Sequence, residues 1–462
     1  MALSRKAIVI GGGPGGYSAA LHLGHAGIET TLVSDERAGG TCLLRGCVPT
    51  KTLLETAQLL RRMRSAQEFG VISSGDATVD LAAVRARQAK IVSGLSGGLE
   101  QLLAGARVTR KRGRGFLLPG PDLRVLVRGE GEETLAGDAV VLAVGSQPAL
   151  PPVPGMDLSG VFSSDGALGL EQVPERLGII GGGAIGCEFA AAFSAFGAQV
   201  TIIEALPRLL PGADAEVSGR LATAFGRRGI TVVTGAQVLE VLPGPRVRLR
   251  TTAGESDLAV DGLLVATGRR PATGGLGLPE AGVVVGSHGD IIVDERFRTS
   301  RAGVWAVGDA VAGPMLAHAS FAQAALAVAD IAGEDLPRIG PIPRPVFCDP
   351  EVAWVGQTEE EAGPGAVTIR IPYAVLGKAH VLGQTDGLCK VVTDATGRIL
   401  GVHYFGPGAT ELVSLGAFAL SAGMTVRQLS ELVLPHPTLG EGIAEAALLA
   451  LGRPLHVPVR RS

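Results

Sequence analysis

Ala7 to Gly16 reads AIVIGGGPGG and Leu177 to Gly186 reads LGIIGGGAIG. In each, a short β-rich run meets G-x-G-x-x-G, at Gly11, Gly13 and Gly16 in the first copy and at Gly181, Gly183 and Gly186 in the second, and an Ala-rich helical pattern follows. The first glycine of such a unit makes the tight turn. The second lets backbone approach a pyrophosphate, and the third lets helix pack on strand, with the helix N-terminus offering N–H groups to the phosphates. One such turn alone is a weak signal. Two in register, each followed by a second strand, predict two dinucleotide sites on an α/β chain.

The second strand ends differently in the two copies. Gln199 to Ile203 leads to Glu204, where a carboxylate accepts ribose hydroxyls and repels a 2′-phosphate, which selects NAD over NADP. The same offset from Gly11 falls on Ser34. There Asp35 or Glu36 must take over, or Ser34 bonds the ribose more weakly. Both copies close with a late strand: Val140 to Leu142 before Gly145-Ser146, then a Pro-rich linker, and Leu263 to Val265 before Gly268-Arg269-Arg270-Pro271. A further β run, Val304 to Val307, ends at Gly308-Asp309, an acidic strand end suited to a polyol, ahead of a helical pattern from Phe321 to Ala332. Pro337 to Pro345 opens a third region of mixed strands and helices.

Composition excludes several functions. The chain has 462 residues, 46% hydrophobic and 18% charged, with 68 glycines and 28 prolines, which leaves disordered and fibrous classes aside. With 41 basic and 44 acidic residues the formal charge is −3, and aromatics are 4%, so neither a phosphate-neutralising surface nor a base-stacking platform is expected. Nucleic acid is not an expected partner. Apolar stretches such as Leu412 to Ala422 are too short to span a bilayer, and the N-terminus Met-Ala-Leu-Ser-Arg-Lys runs directly into a strand, so no membrane partner and a cytoplasmic location are expected.

Five cysteines are too few for a disulfide scaffold. One pair, Cys42 and Cys47, lies within GGTCLLRGCVPTK. In a regular helix these positions stand about 8 to 9 Å apart at Cα, beyond the roughly 4.4 to 6.8 Å of a disulfide. If the pair closes, the helix start must be distorted, with Gly46 and Pro49 the residues that permit it. Two buried cysteines on a helix is the alternative. No second Cys or His pair completes a zinc site, so no metal is expected. Arg45, between the two, favours thiolate. Near the chain end, Leu434-Pro435-His436-Pro437-Thr438-Leu439-Gly440-Glu441 sets an imidazole among prolines with a carboxylate able to orient it as a base; an incidental surface histidine is the alternative. Lys51, after the cysteine pair, and Glu188, after the second glycine turn, suit an ion pair at a reaction centre or a solvated surface pair.

GGTCLLRGCVPTK, the two glycine turns, TSRAGVWAVGD, PMLAHA, DPEVAWVG and HPTLGE, in this order along the whole chain, resemble the pyridine nucleotide–disulfide oxidoreductases, and among them most closely those that oxidise dihydrolipoyl groups with NAD⁺. The resemblance implies two Rossmann-like domains plus a C-terminal α+β dimerisation domain: an FAD-binding domain at 1–150 and 271–340, an NAD-binding domain at 151–270 and an interface domain at 341–462. It also implies a homodimer, and a lipoyl-bearing protein domain or free dihydrolipoamide as partner, with a 2-oxo acid dehydrogenase complex, a glycine cleavage complex or neither as the setting.

By the same resemblance, Cys42 and Cys47 form the redox disulfide, Cys42 exchanging with substrate and Cys47 facing flavin. His436, oriented by Glu441, is the base, and Lys51 with Glu188 lies beside the flavin. Gly11, Gly13, Gly16, Ser34, Asp35, Lys51, Gly115, Gly145, Ser146, Asp309 and the Met315-Leu316-Ala317-His318 backbone line FAD. Gly181, Gly183, Gly186, Glu188, Glu204, Val238 and Gly268 line NAD. Four positions depart from the pattern: Ser34 for Glu, Val144 for Thr, Leu44-Arg45 for Asn-Val and Gly440 for Ser. Competing readings are an NADPH-driven glutathione or mercuric reductase, against which stand Glu204 and a C-terminus, Pro-Val-Arg-Arg-Ser, without a cysteine pair. A non-catalytic flavoprotein subunit is the remaining alternative, disfavoured by the intact cysteines and the His436–Glu441 pair.

Overall fold

In the computed structural model, Lys6–Ile10 forms a strand because its apolar residues Ala7 to Ile10 are covered on both faces, as a central parallel strand requires. The structure describes residues 5–72, 75, 77–244 and 246–458. Residues 1–4, read above as a leaderless N-terminus, and 459–462, read as lacking a cysteine pair, lie outside the described residues.

The chain divides into two compact units, one of Met1–Thr52, Ala82–Ala149 and Gly268–Ile339, the other of Leu53–Leu81, Leu150–Thr267 and Gly340–Ser462. The first holds a five-stranded parallel sheet in the order Val304–Ala306, Ala139–Leu142, Lys6–Ile10, Glu29–Ser34 and Thr109–Arg112. The second repeats that design in the order Thr231–Thr234, Gln199–Glu204, Arg176–Ile180, Gly262–Val265 and Val161–Phe162. Each late strand read from the sequence pairs with its glycine-turn strand, Ala139–Leu142 with Lys6–Ile10 and Gly262–Val265 with Arg176–Ile180. Each sheet is accompanied by a three-stranded antiparallel ribbon, Arg114–Leu117 to Glu132–Ala136 and Gln237–Leu242 to Gly254–Ala259.

The C-terminal region builds a five-stranded antiparallel sheet with Ile399–Phe405 at its centre, flanked by Val352–Gly356 and Leu388–Thr393, on which the helices Ala409–Ser421 and Glu441–Ala450 pack. Buried Val391, Val402, Tyr404, Val413 and Ile443 form its core. The helix expected from Phe321 starts earlier, at Ala317, because Leu316 stays extended as its N-cap residue and Ser320 N–H already bonds the Leu316 carbonyl. Among the described residues no helix is long and apolar enough to cross a membrane.

Candidate active site

The two glycine turns are superposable in their close contacts. A Cβ on Gly16 would lie 1.8 Å from the Gly11 carbonyl oxygen, and one on Gly186 would lie 1.9 Å from that of Gly181. Gly11 and Gly181 both adopt φ +109, and the carbonyl just past the late strand, Ala143 or Ala266, stands where a Cβ would go. Gly13 and Gly183 then serve as N-cap residues of Pro14–His25 and Ala184–Ala195, and no side chain caps either helix. A Cβ at Gly183 would enter open space above those first amides. The residues present therefore fit a dinucleotide pyrophosphate at each turn, where uncapped N–H groups and the helix dipole await an anion.

At the ends of the second strands the copies diverge. Glu204 is buried, and its carboxylate accepts N–H bonds from Gly182 (2.5 Å) and Leu206 (2.8 Å). Ser34 is buried too, but among the described residues its Oγ accepts one bond, a 3.4 Å one from Glu36 N. Asp35 is exposed. Glu36 is not available as a substitute for the missing carboxylate, because Arg45 holds both of its oxygens. That same pairing offsets the charge Arg45 was expected to lend to the thiols.

The cysteine pair straddles a break between two helices, Gly40–Arg45 and Cys47–Arg64. Gly46 sits at the break with φ −128 and ψ −106, and a Cβ there would lie 2.8 Å from the Thr41 carbonyl oxygen. The required distortion thus falls at Gly46, while Pro49 sits in the first turn of the second helix, where its missing N–H costs nothing. Cys42 and Cys47 are both thiols here and hydrogen-bonded to each other. That bond, burial and the Cys47 charge raise the Cys42 thiol above its ordinary pKa, while the charge of Lys51 acts in the opposite direction. The other three cysteines, Cys187, Cys348 and Cys389, are fully buried and pushed up by burial, so they are chemically quiet.

The polyol end is a three-member relay. Arg269 donates from Nε to Ser146 Oγ (2.7 Å) and from Nη2 to the Ser146 carbonyl (2.8 Å), and Ser146 Oγ donates to Asp309 Oδ2 (2.6 Å). Gly145 turns the chain there with φ +70. Gly115 packs its Cα against Ile10, while Met315 to His318 enter the helix Ala317–Ala332. Val238 lies on the ribbon strand Gln237–Leu242, and Gly268 is exposed with φ +121. Val144 packs against the core of the first unit.

His436 and Glu441 do come together: His436 Nδ1 lies 2.8 Å from Glu441 Oε1, and Thr438 N–H fills Oε2 at 2.7 Å. Burial disfavours the Glu441 charge, but the Thr438 amide and His436 outweigh it and hold the carboxyl below its usual pKa. The imidazole is 68% exposed, which leaves its Nε2 edge open to solvent. Glu188 is 5% exposed and accepts Phe347 N–H at 3.0 Å, so it is a bonded interior carboxylate within the second unit. Lys51 is half-buried on the helix that begins with Cys47.

Two groups escaped the sequence reading. Tyr17 follows Gly16 directly, and burial together with the charges of Cys42 and Cys47 pushes its phenol up to about 12, so it stays neutral beside the dithiol. Its place next to the turn was the available signal. Arg269 follows Gly268, in the second copy's echo of Gly145-Ser146, yet it reaches back to the first copy's motif.

The chain matches the pyridine nucleotide-disulphide oxidoreductase family over residues 5–324 and that family's dimerisation domain over 342–447. It belongs to this family: an FAD- and NAD-using flavoprotein oxidoreductase and a homodimer. It is 36% identical over 458 residues to dihydrolipoyl dehydrogenase of Chlamydia pneumoniae, with 98% of each chain covered, and 39% identical to that of Chlorobaculum parvum, with 96% of each covered. Among solved structures it is similar to LpdA from Mycobacterium tuberculosis (TM-score 0.89, 27% identity, 96% and 99% of the two chains). It is likewise similar to the HOCl-induced flavoprotein disulfide reductase RclA from Escherichia coli (TM-score 0.85, 30% identity, 96% and 99%).

Proposed function

We propose that the chain oxidises dihydrolipoyl dithiols, free or carried on a protein domain of a 2-oxo acid dehydrogenase or glycine cleavage complex, with NAD⁺ as acceptor, in the cytoplasm. The observation that carries this reading is the hydrogen-bonded pair Cys42 and Cys47 across the Gly46 break, beside a glycine turn built for a dinucleotide. Residues 1–150 with 271–340 are read as the FAD-binding domain, 151–270 as the NAD-binding domain and 341–462 as the interface domain.

In this reading the imidazole of His436 of the partner subunit, oriented through Nδ1 by its carboxylate neighbour, takes the proton of a substrate thiol at Nε2, since only a thiolate attacks a disulfide. That thiolate attacks Cys42 Sγ of the oxidised pair, Cys47 leaves as thiolate, and the second substrate thiol then displaces Cys42. FAD, when bound, carries the two electrons from the dithiol onward to NAD⁺. Ser34 and the Asp309–Ser146–Arg269 relay hold the FAD ribose and ribitol hydroxyls, with Gly115, Gly145 and Met315 to His318 lining it. Lys51 and Glu188 supply charge at the reaction centre, and Glu204, Val238 and Gly268 hold NAD. Tyr17 keeps a neutral hydroxyl beside the thiols.

Steady-state rates with NAD⁺ and dihydrolipoamide, NADPH and glutathione disulfide, and NADPH and mercuric ion, run in parallel on one preparation, test the proposal. The first pair should dominate. A faster rate with either NADPH pair would overturn it, and no turnover with any would favour a docking subunit.

A further inference from the structure

The chain beyond the helix Glu441–Ala450 folds back and closes on one carboxylate of that helix. Glu445 is 3% exposed. Its Oε1 accepts the backbone N–H groups of Leu455 (3.0 Å), His456 (2.7 Å) and Val457 (3.2 Å), and its Oε2 lies 3.3 Å from His456 Nδ1. A carboxylate withdrawn from water is strongly disfavoured unless its lone pairs are filled. Here three consecutive amides and an imidazole fill them, which orders residues 455–457 against the helix.

The position of that anchor ties it to the base. Glu445 lies four residues after Glu441, one turn on along the same helix face. Two carboxylates on one face thus each hold a histidine, His436 on Glu441 and His456 on Glu445. Val457 packs into the same apolar cluster as Leu434 and Leu439, which bracket His436. Arg453 adds a bond to Ser430 Oγ at 3.3 Å. The segment from Leu434 to Leu439 has no helix or strand of its own. Within it Thr438 Oγ1 bonds the Pro435 carbonyl (2.9 Å), and its ties to the helix are Thr438 N–H and His436 Nδ1 on Glu441 and Gly442 N–H on the Leu439 carbonyl (3.2 Å). A loop with no backbone ladder of its own takes its position from that helix end and from what packs under it, and a reacting group displaced by about 1 Å can lose on the order of a hundredfold in rate.

We infer that residues 455–457, anchored on Glu445, brace the loop that carries His436, which makes Glu445 a positioning residue for the base. The inference rests on the proposed role of His436. The FAD-loaded full-length dimer bearing Glu445→Gln, Glu445→Ala or His456→Ala is compared with wild type and with His436→Gln. Three readouts apply: NAD⁺-linked oxidation of dihydrolipoamide, NADH oxidation by ferricyanide, which needs no thiol base, and amide hydrogen exchange at 455–457.

Glu445→Ala should expose the three amides to exchange and lower kcat with dihydrolipoamide about tenfold to a hundredfold, with ferricyanide turnover unchanged. Glu445→Gln, which keeps one acceptor oxygen, should fall between it and wild type. If Glu445→Ala fails to fold, seen as loss of ferricyanide turnover, the other two variants decide. Amides that stay protected in Glu445→Gln and His456→Ala, or amides that open while dihydrolipoamide turnover stays within about twofold, overturn the inference alone. Undiminished dihydrolipoamide turnover in His436→Gln overturns the role of the base and the brace with it.

Discussion

The carboxylate of Glu204 accepts the backbone N–H of Gly182 across the mouth of the second glycine turn, at 2.5 Å. With Leu206 N–H on its other oxygen, the group is fixed at the strand end with lone pairs left for a ribose. A charge-assisted hydrogen bond contributes roughly 1.5 to 3 kcal/mol, about one to two decades in affinity. Glu204→Gln should weaken NAD⁺ by about tenfold in KM, and Glu204→Arg should narrow the NAD/NADP preference. Equal use of NADP⁺ by the wild type would show that this carboxylate does not read the ribose.

Ser34 lies against Gly12 as Glu204 lies against Gly182, its Oγ 2.9 Å from where a Gly12 Cβ would stand. It brings no charge, and Glu36 is committed to Arg45. Ser34→Glu should therefore tighten FAD by about tenfold, read by titrating apoprotein with FAD fluorescence. An unchanged dissociation constant would mean the ribose is held elsewhere.

Two-electron reduction of the wild type should open the disulfide and give a long-wavelength thiolate-to-flavin absorption band; Cys42→Ser, in which Cys47 is already free, should show that band without reduction, and Cys47→Ser should lack it. The reverse pattern would exchange the two roles. Because Glu36 neutralises Arg45, Glu36→Gln should leave a positive charge beside the dithiol. Nearby positive charge lowers a thiol pKa, so the band should appear at lower pH than in wild type. No shift in its pH midpoint would place Arg45 out of electrostatic reach of the sulfurs.

Lys390 is 1% exposed on an interior strand of the antiparallel sheet, and its Nζ bonds Asp214 Oδ1 and Glu359 Oε2, both at 2.7 Å. Asp214 also caps the helix Ala215–Arg227. Burial opposes the Asp214 charge, but Lys390 and the Glu359 amide outweigh it, so its carboxyl sits below the usual range. A lowered carboxyl pKa stabilises the fold fully above the unfolded value and loses that stabilisation as pH falls through the folded one. Lys390→Met, which strands Asp214, should cost about 3 kcal/mol or more in denaturant unfolding near neutral pH, and less in acid. A loss that did not shrink toward acid pH would remove the ion pair as its cause.

His436 and the cysteine pair lie in different units of the chain, and the proposed active site takes each from a different subunit. Cys47→Ser chains refolded with an equal amount of His436→Gln chains test this. A mixed dimer then has one site with both lesions and one with neither. With random assortment about half the dimers are mixed, so roughly a quarter of wild-type activity should return. Activity no higher than the average of the two mutants would put the base on its own chain's cysteines.

The glycine turns, the break at Gly46, the strand-end Glu204 and the His436–Glu441 pair were all legible in the residues. Each is a local constraint. A missing Cβ, a five-residue spacing or a carboxylate at the last residue of a strand acts over a few bonds, where backbone sterics leave little choice. The helix starting at Ala317 rather than Phe321 shows the margin of such reading at an element end, where a cap and not a periodicity sets the boundary. Tertiary structure alone decided which charges neutralise one another. Glu36 and Arg45 both looked available for other work until folding paired them. Arg269 joined Ser146 and Asp309, Lys390 joined Asp214, and Glu445 collected three amides of the chain's end. A side chain's partner is whatever the packed elements bring within about 3 Å, and no pattern along the chain encodes that distance.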